Sequence, residues 1–256
     1  MNAIDLPIAV LDSGVGGISV LRELTRLMPG EHFLYFGDSK NAPYGEKSPE
    51  EVLATTRRNL EELLRRGIKA LVLACNTATG AAARILREEY PDLILIGIEP
   101  AIKPASLVGD HPRVLVMATP LTLRQEKFCT LMDRFSEASE ILPVPCAGLV
   151  ELIEDGELDG ERLDAYLETL FLPHKETKID AVVLGCTHYP HIKEQIAKHL
   201  PHGVKILDGG EGTARETRRR LMEAGLLRTE GEGHIDILNS SPDPSRIDLS
   251  WKLLNR

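Results

Sequence analysis

Short apolar runs alternate with longer amphipathic stretches along most of the 256-residue chain. The first run, residues 8–11, is followed directly by an acidic residue and glycines, which is typical of a buried strand that ends in a turn. Ser48, Pro49 and Glu51 then form a capping box with proline at the first helical position, and Gly67 is a stop signal. This alternation of strand and helix patterns predicts parallel sheets that are covered by helices on both faces.

The same patterns place the elements along the chain. The predicted strands are residues 8–11, 32–36, 70–74, 93–98, 114–118 and 181–184. The predicted helices are residues 15–27, 49–66, 77–90, 121–135 and 192–200. A chain of this length and ordinary hydrophobic content has room for two compact domains.

The chain is acidic, with a formal net charge of −9. A nucleic-acid partner is not expected, because phosphate binding needs clustered Lys and Arg. The one basic run, at residues 218–220, lies among glutamates and is interpreted as a solvated helix face. A cytoplasmic protein is expected, because the sequence carries neither a signal peptide nor an apolar stretch of membrane-spanning length. Four cysteines, expected as free thiols, occur at Cys75, Cys129, Cys146 and Cys186.

Two halves of the sequence resemble each other. The apolar run that ends in Cys75 resembles the run that ends in Cys186, and the run that ends in Asp12 resembles the run that ends in Thr119. The intervals between the paired positions are of nearly equal length. Ligands bind beyond the carboxyl ends of parallel strands, so these four residues border one cleft if the halves face each other. Residues 96–100 and 205–210 are the predicted crossovers between the halves.

Cys75 and Cys186 are the strongest candidates for chemistry. Each follows a predicted strand and precedes a predicted helix start, where the helix dipole favours the thiolate, which is both a nucleophile and a base. Buried structural cysteine is the alternative for both, and it is preferred for Cys129 and Cys146.

Polar residues surround the two candidate thiols. Asn76, Thr77 and Thr187 suit the binding of substrate carboxylates, and Asp12 suits a substrate ammonium group. Ordinary helix capping explains the hydroxyl residues equally well. His188 can orient or protonate a neighbouring thiol, although a lone histidine is more often structural.

Two further segments are candidates for ligand contact. Tyr44 lies in a turn-rich loop after a predicted strand end, where either a ligand contact or a plain turn is expected. The glycines at residues 14, 16 and 17 do not continue into a dinucleotide-binding pattern, because Ser19 occupies the third glycine position. We therefore expect them to permit a tight turn and a close approach of the backbone to a small ligand.

Taken together, these segments resemble the glutamate racemase family. The matching motifs are Asp12-Ser-Gly-Val-Gly-Gly17, Tyr35-Phe-Gly-Asp38, Pro43-Tyr-Gly45, Ala74-Cys-Asn-Thr-Ala-Thr79, Gly97-Ile-Glu-Pro-Ala101 and Gly185-Cys-Thr-His-Tyr-Pro190. Related aspartate and hydantoin racemases share the paired cysteines, and the Pro-Tyr-Gly and Cys-Thr-His-Tyr-Pro segments point to glutamate.

The resemblance implies two pseudo-symmetric, flavodoxin-like α/β domains with the site in the cleft between them. We expect a first domain of residues 1–98 and 208–256, and a second of residues 99–207. The resemblance also implies a reaction without pyridoxal phosphate or metal, a small-molecule substrate, D-glutamate supply for peptidoglycan, and a homodimer.

The resemblance also assigns roles to residues. Cys75 and Cys186 are the expected acid/base pair, assisted by Asp12, His188 and a glutamate for which Glu154 fits best and Glu151 is the rival. The expected substrate contacts are Asp12, Ser13, Pro43, Tyr44, Gly45, Asn76, Thr77, Thr119, Thr187 and His188. One thiolate would remove the α-proton from one face of the substrate while the opposite thiol returns a proton to the other face.

Three rival functions are weighed against this one. A cysteine hydrolase would use Cys186 and His188, but residues two apart at a strand-to-helix turn rarely point at each other, and Cys75 would be unexplained. A binding protein would also suit two α/β lobes around a cleft. A zinc site of Asp12, Cys75, Cys186 and His188 has suitable ligand types but no close metal-ligand spacing.

Overall fold

The structure is a computed structural model that describes residues 2–256. It contains two separate sheets in which every neighbouring pair of strands is parallel. Helices lie between successive strands along most of the chain. The predicted fold of two parallel-sheet α/β domains is therefore confirmed.

The strands are β1 Ile8–Asp12, β2 His32–Gly37, β3 Ala70–Leu73, β4 Ile94–Gly97, β5 Arg113–Ala118, β6 Glu140–Pro145, β7 Ala181–Leu184, β8 Lys205–Asp208 and β9 His234–Asn239. The five-stranded sheet has the order β4-β3-β1-β2-β9, and the four-stranded sheet has the order β6-β5-β7-β8. We call the parts of the chain built around them the five-stranded and four-stranded domains. The strands β1, β3 and β7 are buried along their whole length, as expected where helices cover both faces of a sheet.

The α-helices are α1 Ile18–Leu27, α2 Pro49–Arg66, α3 Asn76–Glu89, α4 Ile102–Ala105, α5 Pro120–Arg124, α6 Glu126–Phe135, α7 Leu149–Glu154, α8 Glu161–Phe171, α9 Lys193–Lys198, α10 Gly210–Glu223 and α11 Ser245–Leu254. Short 3₁₀ helices occur at Ala3–Asp5, Ser39–Asn41, Tyr44–Glu46, Leu172–His174 and Tyr189–Ile192. Within residues 2–256, no helix is long and apolar enough to cross a membrane.

The start and end of α2 follow from its sequence. The Ser48 hydroxyl accepts from the backbone N–H of Glu51, and the Glu51 carboxylate accepts from the backbone N–H of Ser48. The helix ends at Gly67, whose φ of +79° suits a residue without a side chain. The start of α2 at Pro49 and its end before Gly67 are therefore confirmed as predicted from the sequence.

The predicted helix at residues 121–135 is wrong in one respect. It is broken at Gln125, whose backbone is extended between α5 and α6. The buried Gln125 amide donates to the backbone carbonyl of Thr77 in the five-stranded domain at 2.9 Å. A contact between the domains, which local periodicity does not report, therefore interrupts the helix.

Three other parts of the structure differ from the elements predicted from the sequence. The predicted crossover at residues 205–210 contains β8, which pairs with β7. The strand β6 was missed because it contains Pro143 and Pro145, which a strand tolerates at the edge of a sheet, where β6 lies. The predicted helix at residues 192–200 is shorter, because a 3₁₀ helix precedes α9.

A buried ion pair stabilises the five-stranded domain near the amino end of β3. The Lys69 ammonium contacts the Glu31 carboxylate at 2.6 Å and donates to the carbonyls of Ile4 and Leu226. Both charged side chains are almost completely buried. The pair thus joins the N-terminal segment to the segment that follows α10.

We expect Lys69→Met to lower the free energy of unfolding by about 3–5 kcal/mol, because Glu31 would remain as a buried charge without its cation. Urea unfolding followed by circular dichroism measures this loss. Arg84→Met is the matched control, since it breaks the exposed pair with Glu88 and should change stability little. Equal losses in the two variants would contradict the importance of the buried pair.

Candidate active site

The carboxyl ends of the two sheets face each other and bring the predicted site residues together. Asp12 is the last residue of β1, Cys75 lies two residues beyond β3, and Cys186 lies two residues beyond β7. Both cysteines are buried, and a charge on Cys186 contributes to the raised pKa of Cys75. The two thiols therefore belong to one buried site between the domains.

The Cys75 thiol lies in the five-stranded domain at the start of α3. Its sulfur is 3.6 Å from the hydroxyl of Ser13. Burial raises its pKa to about 12, the Asp12 carboxylate adds to the rise, and the backbone N–H of Ala78 opposes it. The prediction that the helix start makes this thiol acidic is wrong, because desolvation outweighs the helix end, and Cys75 is protonated at neutral pH.

The Cys186 thiol lies in the four-stranded domain. Its sulfur is 3.6 Å from Nδ1 of His188, and Nε2 of the same ring is 2.7 Å from the Glu154 carboxylate. Cys186 and His188 therefore do point at each other, contrary to what is expected for residues two apart at such a turn. Cys186 is followed by a turn and a 3₁₀ helix rather than an α-helix, which lets residues two apart lie on the same side.

Glu154 is the glutamate that contacts His188, while its rival Glu151 is only half-buried. Burial alone would lower the pKa of His188, but its hydrogen bonds to Cys186 and Glu154 outweigh burial and hold that pKa well above the ordinary value. Burial also acts against the ionised form of Glu154, yet His188, the backbone N–H of Val15 and Arg246 lower its pKa. Glu154 and His188 thus form an ion pair at neutral pH.

Asp12 joins the two domains at the centre of the site. Its carboxylate accepts from the backbone N–H of Gly17 at 2.9 Å and from the hydroxyl of Thr187 at 3.3 Å. Burial raises its pKa to about 6, His188 opposes that rise, and Glu154 adds to it. The carboxyl group is therefore ionised at neutral pH and protonated in mild acid.

The loop that contains Pro43, Tyr44 and Gly45 covers the Cys75 side of the site. The Tyr44 ring packs in an apolar cluster that includes Cys75, and its hydroxyl donates to the Asp38 carboxylate at 2.6 Å. Asn59 also donates to Asp38 at 2.9 Å. Asp38 was part of a matching motif but was not among the predicted site residues, although its buried carboxylate holds this loop in place.

Three threonine hydroxyls connect the domains beside this loop. Thr77 of α3 lies 3.2 Å from Thr119 and 3.0 Å from Thr122. A Cβ added to Gly45 would lie 2.8 Å from that of Thr119, so the covering loop rests directly on the other domain. Asn76 lies nearby, and its buried side-chain oxygen has no hydrogen-bond partner within the protein.

The three glycines after Asp12 leave room for the site's own side chains. A Cβ on Gly14 would lie 1.9 Å from the Glu154 carboxylate, and one on Gly16 would lie 2.3 Å from the His188 ring. A Cβ on Gly17 would lie 2.7 Å from the Cβ of Asp12. Side chains of the candidate site thus approach these glycines closely, and the approach of a ligand to the same backbone stays a prediction.

One residue of the site was missed altogether. Arg246 of α11 contacts Glu154 from the C-terminal end of the chain, a separation that no local motif reveals. Among the residues that the structure describes, no group of three His, Cys, Asp or Glu side chains is arranged to hold a metal ion.

Comparison with known proteins agrees with this geometry. The family profile described as Asp/Glu/Hydantoin racemase matches residues 8–217. The chain belongs to the Asp/Glu/hydantoin racemase family. It is 49% identical over 255 residues to a glutamate racemase of Clostridium botulinum, with 99% of each chain covered. The predicted resemblance to the glutamate racemases is confirmed.

Solved structures of the family share the same fold. A glutamate racemase of Francisella tularensis, in complex with D-glutamate, superposes with a TM-score of 0.85 at 27% identity, covering 99% of this chain and 95% of the other. A glutamate racemase of Thermus thermophilus, in complex with β-chloro-D-alanine, gives 0.81 at 35% identity, covering 98% and 93%. The two-domain arrangement is thus that of the family.

We expect Gly16→Ala to abolish most racemase turnover, because the new methyl group would push the His188 ring away from Cys186 and Glu154. The far-ultraviolet circular dichroism spectrum should stay close to that of the unmodified protein. Gly212→Ala is the control, since a Cβ at that position of α10 meets no atom within 4 Å. Full turnover by Gly16→Ala would show that the position of His188 does not matter.

Proposed function

We propose that this racemase interconverts L-glutamate and D-glutamate by moving the substrate α-proton between Cys75 and Cys186. The observation that carries the proposal is the pair of buried thiols at the facing ends of two sheets. Inversion requires a base on one face of the α-carbon and an acid on the other, and each domain supplies one thiol. The enzyme is accordingly an isomerase that requires no pyridoxal phosphate or metal.

The two thiols have different surroundings. Burial and Asp12 keep Cys75 protonated, which suits the group that donates a proton. Cys186 lies 3.6 Å from Nδ1 of His188, so this ring can orient the sulfur as the group that removes the proton. Turnover leaves the protons exchanged, so the reverse reaction starts from the opposite state.

The remaining polar groups suit the charges of glutamate. Asp12 and the unpartnered side-chain oxygen of Asn76 can accept from the substrate ammonium. Ser13 carries a hydroxyl donor for one of its carboxylates, and Thr187, whose hydroxyl donates to Asp12, positions the carboxylate that binds the ammonium group. Because both thiols are buried, we infer that substrate enters when the contacts between Thr119 and the covering loop separate.

The other predicted substrate contacts lie in the covering loop or next to it. Pro43, Tyr44 and Gly45 form the cover over the Cys75 side. Gly45 packs against Thr119, whose hydroxyl is hydrogen-bonded to that of Thr77. We infer that backbone groups of the loop contact the substrate, since the Tyr44 hydroxyl is already bound to Asp38.

We propose domains of residues 1–98 with 208–256 and of residues 99–207, which is supported by the pairing of β9 with β2 and by the end of β8 at residue 208. We also propose a cytoplasmic homodimer that binds no nucleic acid and supplies D-glutamate for peptidoglycan.

A cysteine hydrolase is the second candidate, because one observation favours it. Cys186, His188 and Glu154 form a hydrogen-bonded series like that of a cysteine, histidine and acid triad. That function would leave Cys75 without a role. Separate incubations with L-glutamate and D-glutamate, analysed by chiral chromatography, test the racemase. Each should approach an equal mixture, and glutamate recovered unchanged would contradict the proposal.

We expect Cys75→Ala and Cys186→Ala each to abolish racemisation, because each removes one of the two groups that exchange the proton. Initial rates from both enantiomers, measured by circular dichroism, provide the test. Cys129→Ala is the control, since this half-buried thiol in α6 lies outside the site. If either site variant kept near-normal turnover, that cysteine would be removed from the mechanism.

We expect kcat/KM to fall as the pH drops through about 6. Asp12 has a pKa raised to about 6, so its carboxylate gains a proton there and can no longer bind the substrate ammonium. Asp12→Asn should have a low kcat/KM without this acidic limb. An unchanged acidic limb in Asp12→Asn would assign it to another group.

A further inference from the structure

The carboxylate of Glu154 is bound from both domains. Its Oε1 accepts from the backbone N–H of Val15 and from His188 Nε2, each at 2.7 Å. Its Oε2 lies 3.4 Å from the Ser39 hydroxyl and 3.3 Å from Nη1 of Arg246. The same guanidinium nitrogen also donates to the backbone carbonyl of Glu154.

These partners come from distant parts of the chain. Glu154 and His188 belong to the four-stranded domain, whereas Val15 and Ser39 belong to the five-stranded domain. Arg246 lies in the first turn of α11, which packs on α1 and β9 of the five-stranded domain. The C-terminal helix therefore reaches the end of α7 across the junction between the domains.

We propose that Arg246 is a positioning residue for racemisation, holding the Glu154 carboxylate so that Glu154 orients His188 against Cys186. This inference rests on the proposed function. The guanidinium makes two contacts with one residue, to its side chain and to its backbone, and so fixes both the carboxylate and the end of α7 that carries it. Because these contacts cross between the domains, the alignment of Cys186 depends on residues of both domains.

The charge of Arg246 acts on this pair in addition to its geometry, because it favours the ionised form of Glu154. The titratable and charged groups that face Glu154 and His188 are Asp12 of β1, Tyr35 of β2, Cys186, His191 of the 3₁₀ helix before α9, and Arg246. His191 is neutral, because burial and His188 lower its pKa to about 3. Arg246 is thus the permanent cation beside this pair.

Removing that cation should weaken the ion pair. The Glu154 carboxylate would no longer be held against the His188 ring, so the hydrogen bond that stabilises the protonated ring would weaken. Loss of the positive charge by itself would act in the opposite direction, because a nearby cation disfavours a protonated ring. The positioning role therefore predicts that the basic limb of kcat moves to lower pH in Arg246→Gln, whereas loss of the charge alone would move that limb to higher pH. We expect kcat to fall roughly tenfold, part of what acid–base catalysis contributes, while KM changes little.

Two further variants separate this role from a general effect on folding. Arg246→Lys keeps the charge and a donor, and it should recover part of kcat and of the pH profile. Lys252→Gln removes an exposed cation from the same helix and should match the unmodified enzyme. Loss of thermal stability alone, with the pH profile unchanged in Arg246→Gln, would overturn the positioning role.

Substrate isotope effects test whether Arg246 acts on one thiol only. With glutamate deuterated at the α-carbon, Arg246→Gln should show a larger isotope effect on kcat than the unmodified enzyme for the enantiomer that Cys186 deprotonates. The isotope effect should fall for the other enantiomer, because that reaction becomes limited by protonation from Cys186. Equal changes for both enantiomers would overturn the proposal.

A measurement without turnover keeps this inference independent of the reaction. The imidazole of His188, labelled with ¹³C and assigned through His188→Gln, can be titrated by nuclear magnetic resonance in the unmodified protein and in Arg246→Gln. We expect the pKa of His188 to be lower in Arg246→Gln. An unchanged titration would overturn the role of Arg246, whatever the substrate proves to be.

Discussion

The hydrogen bond from Thr187 to Asp12 joins the carboxyl ends of two separate sheets, and the rest of the site depends on that junction. Each sheet places one cysteine just beyond a buried strand. Because the carboxyl ends of the two sheets face each other, both thiols share one environment that excludes water. Burial then sets the chemistry, because it keeps Cys75 protonated and strengthens the interaction of His188 with Glu154.

Much of this arrangement could be predicted from the sequence. The apolar strands and the capping box of α2 are local signals, and they gave correct elements because burial on both faces leaves a continuous apolar run. The resemblance between the two halves placed Cys75 and Cys186 at corresponding strand ends. Family motifs contain Asp12 and His188, and the resemblance favoured Glu154 over its rival Glu151. The structure brings Asp12, His188 and Glu154 together.

The rest depends on contacts between residues far apart in the chain. Arg246 meets Glu154 only because α11 returns to the five-stranded domain, and Gln125 breaks a helix only because Thr77 lies opposite. The prediction that the Cys75 thiol is acidic was wrong for the same kind of reason. A helix start is visible in a sequence, whereas the degree of burial that outweighs it is not.

The origin of the proton on the product tests the two-thiol account most directly. Racemisation of unlabelled glutamate in heavy water, stopped at low conversion, can be analysed by chiral separation and mass spectrometry. The account predicts that the new enantiomer carries deuterium at its α-carbon while the remaining substrate carries protium. A new enantiomer that kept the original proton would mean that one group both removes and returns it, which would contradict the account.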